Sequence, residues 1–116
     1  MKIRIKDNSV RIRLTQSEVN ALYQDGKISS RTEFLEQAFV YAVERADMPE
    51  LSVEFVENKI TLKIPVNLLE QLYSTDVVGF EGLTGKVKLL LEKDFVCLDN
   101  TLEDQSDNYP NPNMKC

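Results

Sequence analysis

The sequence predicts an α+β domain in which a β-β-α-β-β unit occurs twice. Residues 10–23 and 60–73 carry this prediction, because they align without a gap at a separation of fifty residues. Each segment begins with alternating apolar and charged residues and ends with an apolar helical stripe that closes on Leu-Tyr. We expect the eight strands to form one curved antiparallel sheet or an eight-stranded barrel with two short helices. Closure would remove the exposed strand edges.

The first predicted element is a β-hairpin at residues 2–14. Apolar and basic side chains alternate on both sides of a turn at residues 7–9, which contains an asparagine. Period-two patterns around a short turn are typical of a hairpin with one buried face. Side chains that lie opposite one another in a hairpin share a face, so the basic residues of both strands should lie together.

A short helix is predicted after the hairpin of each half. Thr15 and Glu18 have the spacing of a capping box, and Gly26 is well placed to end the helix that starts there. In the second half, Pro65 suits the first turn of a helix, where its missing N–H is not needed. Each helix should therefore lie between the second and third strands of its own half.

Two further strands complete each half. Residues 27–35 and 37–45 are predicted to be strands, although the segment from Phe34 to Val43 also fits a helical pattern. The repeat favours the strand, because the matching segment from Lys86 to Phe95 is rich in valine, leucine and phenylalanine.

The domain organisation follows from the repeat and from composition. We expect one domain at residues 1–98, made of repeats at 1–48 and 50–98, and an acidic polar tail at 99–116. The tail holds four acids and one lysine, or −3 of the net charge of −5, so the body exerts no overall attraction on nucleic acid. The sequence contains no apolar run of about 18 residues and no signal-peptide pattern. We therefore expect a cytoplasmic protein.

The strongest candidate for a binding site is a set of cations that we call the basic stripe: Lys2, Arg4, Lys6, Arg11 and Arg13. Later strands add more lysines, and the full set of predicted anion-binding residues is Lys2, Arg4, Lys6, Arg11, Arg13, Lys63, Lys86 and Lys88. Like charges opposite one another cost stability, so a small phosphate-bearing ligand or an acidic protein segment would explain them.

A second interpretation of the basic stripe requires no ligand. The cations would face water or pair with acids on neighbouring strands. The acids available for such pairs are Glu33, Glu44, Glu54 and Glu92.

Catalysis and metal chemistry are not indicated by the residue types present. The chain has no histidine, which is the commonest general base and zinc ligand. It has no glycine-rich phosphate loop and no recognisable nucleophile–base set. We expect no catalytic residue, no metal and no cofactor, and we predict a binding or interaction module rather than an enzyme.

The duplicated eight-strand layout is similar to that of the triphosphate-tunnel enzymes, the adenylate cyclase and thiamine triphosphatase group. In that group, charged residues inside a barrel hold a polyphosphate and a divalent metal, and the first strand reads Glu-x-Glu-x-Lys. The first strand here reads Lys2-x-Arg4-x-Lys6, so bases replace both acids. The resemblance implies an alternative function, that of a divergent phosphohydrolase. It would require glutamates beside inward-facing cations, and an apolar interior would exclude it.

The chain also resembles a family of short bacterial proteins of unknown function. The likeness rests on the opening Met-Lys-Ile-Arg-Ile-Lys, on Glu-Lys-Asp-Phe-Val-Cys-Leu at residues 92–98, and on Tyr-Pro-Asn-Pro at residues 109–112. It extends over nearly the whole chain. The resemblance implies membership of that family and implies no activity.

The acidic tail and the basic stripe carry opposite charge. We expect Glu103, Asp104 and Asp107 to lie near the stripe when no ligand is bound. Coulomb attraction between exposed groups is weak, so Tyr109 would anchor the tail through apolar contact.

Overall fold

The computed structural model describes residues 1–96 and 105–110. This part of the chain contains two helices and eight strands in the predicted order of two strands, a helix and two strands, repeated once. The elements are β1 (Lys2–Lys6), β2 (Ser9–Leu14), α1 (Gln16–Asp25), β3 (Lys27–Glu33), β4 (Ala38–Ala46), β5 (Ser52–Val56), β6 (Lys59–Pro65), α2 (Val66–Ser74), β7 (Gly79–Thr84) and β8 (Val87–Lys93). The strand interpretation of the segment around β4 is confirmed.

The strands form two separate four-stranded sheets, so the prediction of one antiparallel sheet or a closed barrel is wrong. Sheet A has the order β1-β2-β8-β7, and sheet B has the order β3-β4-β6-β5. In each sheet two antiparallel hairpins are joined by a parallel pair, β2 with β8 and β4 with β6. The strands divide into two sheets because each helix carries the chain from one sheet to the other. Each half of the sequence therefore contributes one hairpin to each sheet.

The two halves occupy equivalent places in this connectivity. Exchanging β1–β4 with β5–β8 converts the strand order of sheet A into that of sheet B. The rings of Tyr23 and Tyr73, which end the two aligned segments, stack with centroids 3.9 Å apart and planes 2° apart. The duplication itself stays a prediction, and superposition of residues 1–48 on residues 50–98 would test it.

The predicted ends of α1 are confirmed. The Thr15 hydroxyl accepts from the Glu18 N–H, and the Glu18 carboxylate accepts from the Thr15 N–H at 2.9 Å, which completes the capping box. Gly26 adopts a left-handed φ of 80°, and its N–H donates to the Leu22 carbonyl at 2.8 Å. Pro65 was predicted to lie in the first turn of the second helix, but it is the N-cap of α2, one residue before the helix begins.

The core between the sheets and helices is aliphatic. Its fully buried large side chains include Ile12, Leu14, Leu22, Leu62, Ile64, Leu69, Leu72, Leu89 and Leu91. The mixture of inward-facing cations and glutamates that a tunnel enzyme needs is not found among residues 1–96 and 105–110. These residues therefore give the phosphohydrolase alternative no support, and their strands form two four-stranded sheets rather than the barrel on which that resemblance depended.

Residues 105–110 lie against the body of the domain. Tyr109 forms a parallel bridge with Phe95, and its N–H donates to the Asp94 carbonyl at 2.8 Å. The ring of Tyr109 packs against the core, as predicted, and the Lys93 ammonium lies 4.9 Å from its centroid. Burial raises the pKa of Tyr109 and lowers that of Lys93.

Asp107 binds α1 rather than the basic stripe. Its carboxylate accepts from the Ser17 N–H at 3.2 Å and from the Ser17 hydroxyl at 2.5 Å, and its carbonyl accepts from the Gln16 N–H at 3.0 Å. These bonds satisfy N–H groups that the first turn of a helix leaves free. Glu103, Asp104 and the predicted boundary at residue 98 lie outside the described residues.

Acidification is expected to release residues 105–110 from α1. Hydrogen bonds from Ser17, and then from Thr15, lower the pKa of the Asp107 carboxyl. A carboxyl with a lowered pKa stabilises the bound form above its ordinary pKa, and this contribution is lost as the pH falls through the lowered value. Hydrogen exchange of the Ser17 amide, corrected for intrinsic rates, should show protection at about pH 7 that is lost once the pH falls below the ordinary pKa of an aspartic acid, about 3.9.

The Asp107→Ala variant should lack this protection already at neutral pH. Asp25→Ala removes an acid from the other end of α1 and should leave the Ser17 amide as it is in the unmodified chain. Equal protection of Ser17 in the unmodified chain and in Asp107→Ala would contradict the prediction.

Neither helix is long and apolar enough to cross a bilayer, within the part of the chain that the structure describes.

Candidate anion-binding surface

The basic stripe lies on one face of sheet A, as the hairpin pattern predicts. In the register of β1 with β2, Lys2 is opposite Arg13 and Arg4 is opposite Arg11. The isoleucines between them point the other way, and Ile12 is fully buried in the core. The stripe therefore forms part of the outer surface of the domain.

Strands β8 and β7 extend this outer surface with residues from the second half of the chain. Lys88 lies beside Ser9, and Glu92 lies beside Arg13. Glu81 of β7 is opposite Leu90 of β8, which in turn lies beside Arg11. The surface thus combines the basic stripe and Lys88 with two glutamates.

Three of the stripe cations form ion pairs. Arg11 and Arg13 both bind Oε1 of Glu92, with the Arg13 Nε at 3.1 Å. The Lys2 ammonium lies 3.0 Å from the buried carboxylate of Asp94. These three residues therefore pair with acids, as the second interpretation expected; Glu92 is one of the acids that the sequence offered, and Asp94 is not.

The remaining cations of this surface surround a shallow depression. Arg4, Lys6 and Lys88 form no ion pair with any residue in the described ranges. Together with Ser9 and Arg11 they line a cavity of about 270 Å³ on the surface, with Glu81 on one side. A second cavity of about 210 Å³ lies over the other end of the basic stripe.

Two of the predicted anion-binding residues lie elsewhere. Lys63 belongs to β6 in sheet B, where its ammonium lies 3.2 Å from Glu54. Lys86 is exposed in the turn between β7 and β8 and does not line the depression. The structure therefore groups six of the eight predicted residues on one surface, and their role in binding stays a prediction.

The sequence did not indicate Ser9 or Glu81 as parts of this surface. Ser9 was predicted to lie in the turn, but it begins β2 opposite Lys6. Glu81 is brought to the surface by the pairing of β2 with β8 and of β8 with β7. Parallel pairing of strands far apart in the sequence leaves no local signal, because alternation shows which face of a strand is buried and not which strand lies beside it.

The fold and surface define a small α+β protein with a basic sheet face. A family model matches residues 1–113, and the chain belongs to that family, a family of unknown function designated DUF7009. No curated protein and no solved structure matches the chain. The predicted membership of an uncharacterised family is thus confirmed.

Proposed function

We propose that this chain is a small cytoplasmic binding module that holds a phosphate-bearing anion on the outer surface of sheet A without transforming it. The observation that carries the proposal is that three cations without an ion pair among the described residues, Arg4, Lys6 and Lys88, surround one depression. Unpaired like charges held close together repel one another, and a bound anion would remove that repulsion.

The residue types suit phosphate oxygens. Arg4 and Arg11 are cross-strand partners. The Arg4 guanidinium can donate two parallel hydrogen bonds to one phosphate, whereas Arg11 binds Glu92. Lys6 and Lys88 supply compact charges, and the Ser9 hydroxyl between them can donate a further hydrogen bond. All these donors belong to strands, which hold a site more precisely than loops do.

The spacing of the cations favours a ligand with more than one charged group. Arg4 and Lys6 belong to β1 and Lys88 belongs to β8, with β2 between them. Neighbouring strands are about 4.8 Å apart, so the two sides of the site are separated by roughly 10 Å. Glu81 repels anions at the β7 side, and we therefore expect the ligand to lie over β1, β2 and β8.

Inorganic tripolyphosphate, added without metal to ¹⁵N-labelled protein, is expected to shift the amide signals of Arg4, Lys6, Ser9 and Lys88. The double variant Arg4→Gln/Lys88→Gln should bind it at least about tenfold more weakly. A hydrogen bond to a charged group contributes about 1.5–3 kcal/mol, and tenfold corresponds to about 1.4 kcal/mol. Isothermal titration at one fixed ionic strength would measure the change.

The matched control is Arg31→Gln/Lys63→Gln, which removes the same charge from sheet B. It should change the affinity by less than about twofold, because salt screens charges on sheet B from an anion that is bound on sheet A. Glu92→Gln should strengthen binding, since it frees Arg11 and Arg13 from their acid. Equal losses in both double variants, or shifts confined to sheet B, would contradict the proposal.

A further inference from the structure

Sheet B carries an uncovered apolar surface at the end of the β3–β4 hairpin, which we call the aromatic platform: Phe34, Leu35, Phe39 and Phe55. Phe39 shares a sheet face with Val43, which is buried in the core, and Phe55 shares one with Val53, which packs against the core. The face therefore continues beyond the core. Phe34 is 63% exposed, Phe55 is 64% exposed and Leu35 is fully exposed.

The platform is held in a defined shape. The ring centroid of Phe39 lies 6.5 Å from that of Phe55, a distance typical of aromatic pairs. The Phe34 N–H donates to the Gln37 carbonyl at 3.0 Å, which closes the hairpin loop. The Gln37 side-chain oxygen accepts from the Asn58 amide at 3.0 Å, so the loop is tied to the turn between β5 and β6.

The equivalent hairpin of sheet A has no such surface. β7 and β8 are joined by two residues, 85 and 86, whereas β3 and β4 are joined by four, residues 34–37. The longer loop between β3 and β4 is the one that contains Phe34 and Leu35. Single exposed apolar residues are common, but three at one end of a sheet, next to the half-buried Phe39, are typical of an interaction site.

The charges around the platform indicate what kind of partner fits. Glu36 lies beside Leu35 in the loop, and Glu57 lies in the turn that the Gln37–Asn58 hydrogen bond ties to this loop. Glu33 is on the other face of the sheet, where it is paired with Arg31 at 3.2 Å. Glu36 and Glu57 have no ion pair within residues 1–96 and 105–110. An apolar surface with an acidic rim complements an apolar segment flanked by bases.

We propose that the aromatic platform docks a segment of another protein that presents aromatic or aliphatic side chains flanked by lysine or arginine. Symmetric pairing of two copies would place the same glutamates of both copies at one interface, and like charges there oppose association. Cytoplasmic membrane surfaces are negative and would repel the same acidic rim. This proposal concerns sheet B and stands independently of the anion site on sheet A.

Selection from a random-peptide phage library against the full chain, with depletion on the Leu35→Ser variant, would test it. The enriched peptides should combine apolar residues with lysine or arginine. A synthetic copy should bind Leu35→Ser at least about tenfold more weakly than the unmodified chain, and Glu36→Lys/Glu57→Lys should also weaken binding. Leu35 is fully exposed, so its replacement should leave the melting temperature unchanged.

The matched control is Leu83→Ser, an exposed leucine of β7 in sheet A, which should bind the peptide as the unmodified chain does. Enriched peptides that lack basic residues, or that bind Leu35→Ser equally well, would overturn the proposal. Self-association that is abolished by Leu35→Ser in sedimentation experiments would assign the platform to a second copy instead. Co-sedimentation with vesicles of anionic phospholipid that depends on Leu35 would also overturn it.

Discussion

Replacement of Leu62 by alanine is expected to lower the free energy of unfolding by about 2–5 kcal/mol, because it leaves a cavity in the centre of sheet B. Leu62 is fully buried and belongs to β6, where it lies beside Val43 of β4 and Val53 of β5. All three residues contribute to the core that joins the two sheets. Urea unfolding followed by circular dichroism would measure the change, with the slope of the transition expected to stay constant.

The matched control for this prediction is Leu83→Ala, the same chemical change at a side chain that is 65% exposed. It should alter the free energy of unfolding by no more than about 0.5 kcal/mol, as is usual for surface substitutions. If the two variants lost similar stability, the aliphatic core would not have the role assigned to it here.

Replacement of Gly79 by alanine is expected to be the second most damaging of these changes. A Cβ atom at this position would lie 2.3 Å from the Leu91 carbonyl oxygen and 2.6 Å from the Cα atom of Glu92. Both are backbone atoms of β8, so the strand itself would have to move. Overpacking of this kind costs about 1–3 kcal/mol. Hydrogen exchange in β7 should also become faster.

The control variant for this prediction is Gly85→Ala, whose loss of stability is to be compared with that of Gly79→Ala. No atom lies within 4 Å of a Cβ built on Gly85, but its φ of 59° is unfavourable for alanine. The cost there should be about 1 kcal/mol, from backbone strain alone. Because Glu92 holds Arg11 and Arg13, only Gly79→Ala should also perturb the basic stripe. A smaller loss of stability for Gly79→Ala than for Gly85→Ala would contradict the predicted steric clash between a Cβ atom at position 79 and the backbone of β8.

The elements of this fold could be predicted because their signals are local. The capping box of α1 and its end at Gly26 depend on residues within one or two helical turns. The hairpin of β1 and β2 depends on alternation around a short turn. The arrangement of the sheets could not be predicted in this way, because β2 pairs with β8 across most of the chain.

The same difference between local and long-range signals decided which parts of the candidate site could be predicted. The basic stripe was predicted correctly as one surface, since its register is set within a single hairpin. Lys63 was placed with it by analogy with Arg13, but the helix that separates the hairpins carries the equivalent strand, β6, into sheet B. The aromatic platform was not predicted, because the sequence around Phe34 and Leu35 does not show whether another part of the chain covers these side chains.

The exchange of hairpins between the halves also affects the order in which the chain can fold. Sheet B is built from strands within residues 27–65, whereas sheet A joins residues 2–14 to residues 79–93. Closing a longer loop costs more entropy, and contacts between distant residues slow folding. During synthesis, β1 and β2 would wait for their neighbour β8 while sheet B could already assemble. The surface that we propose binds an anion is therefore expected to be completed last.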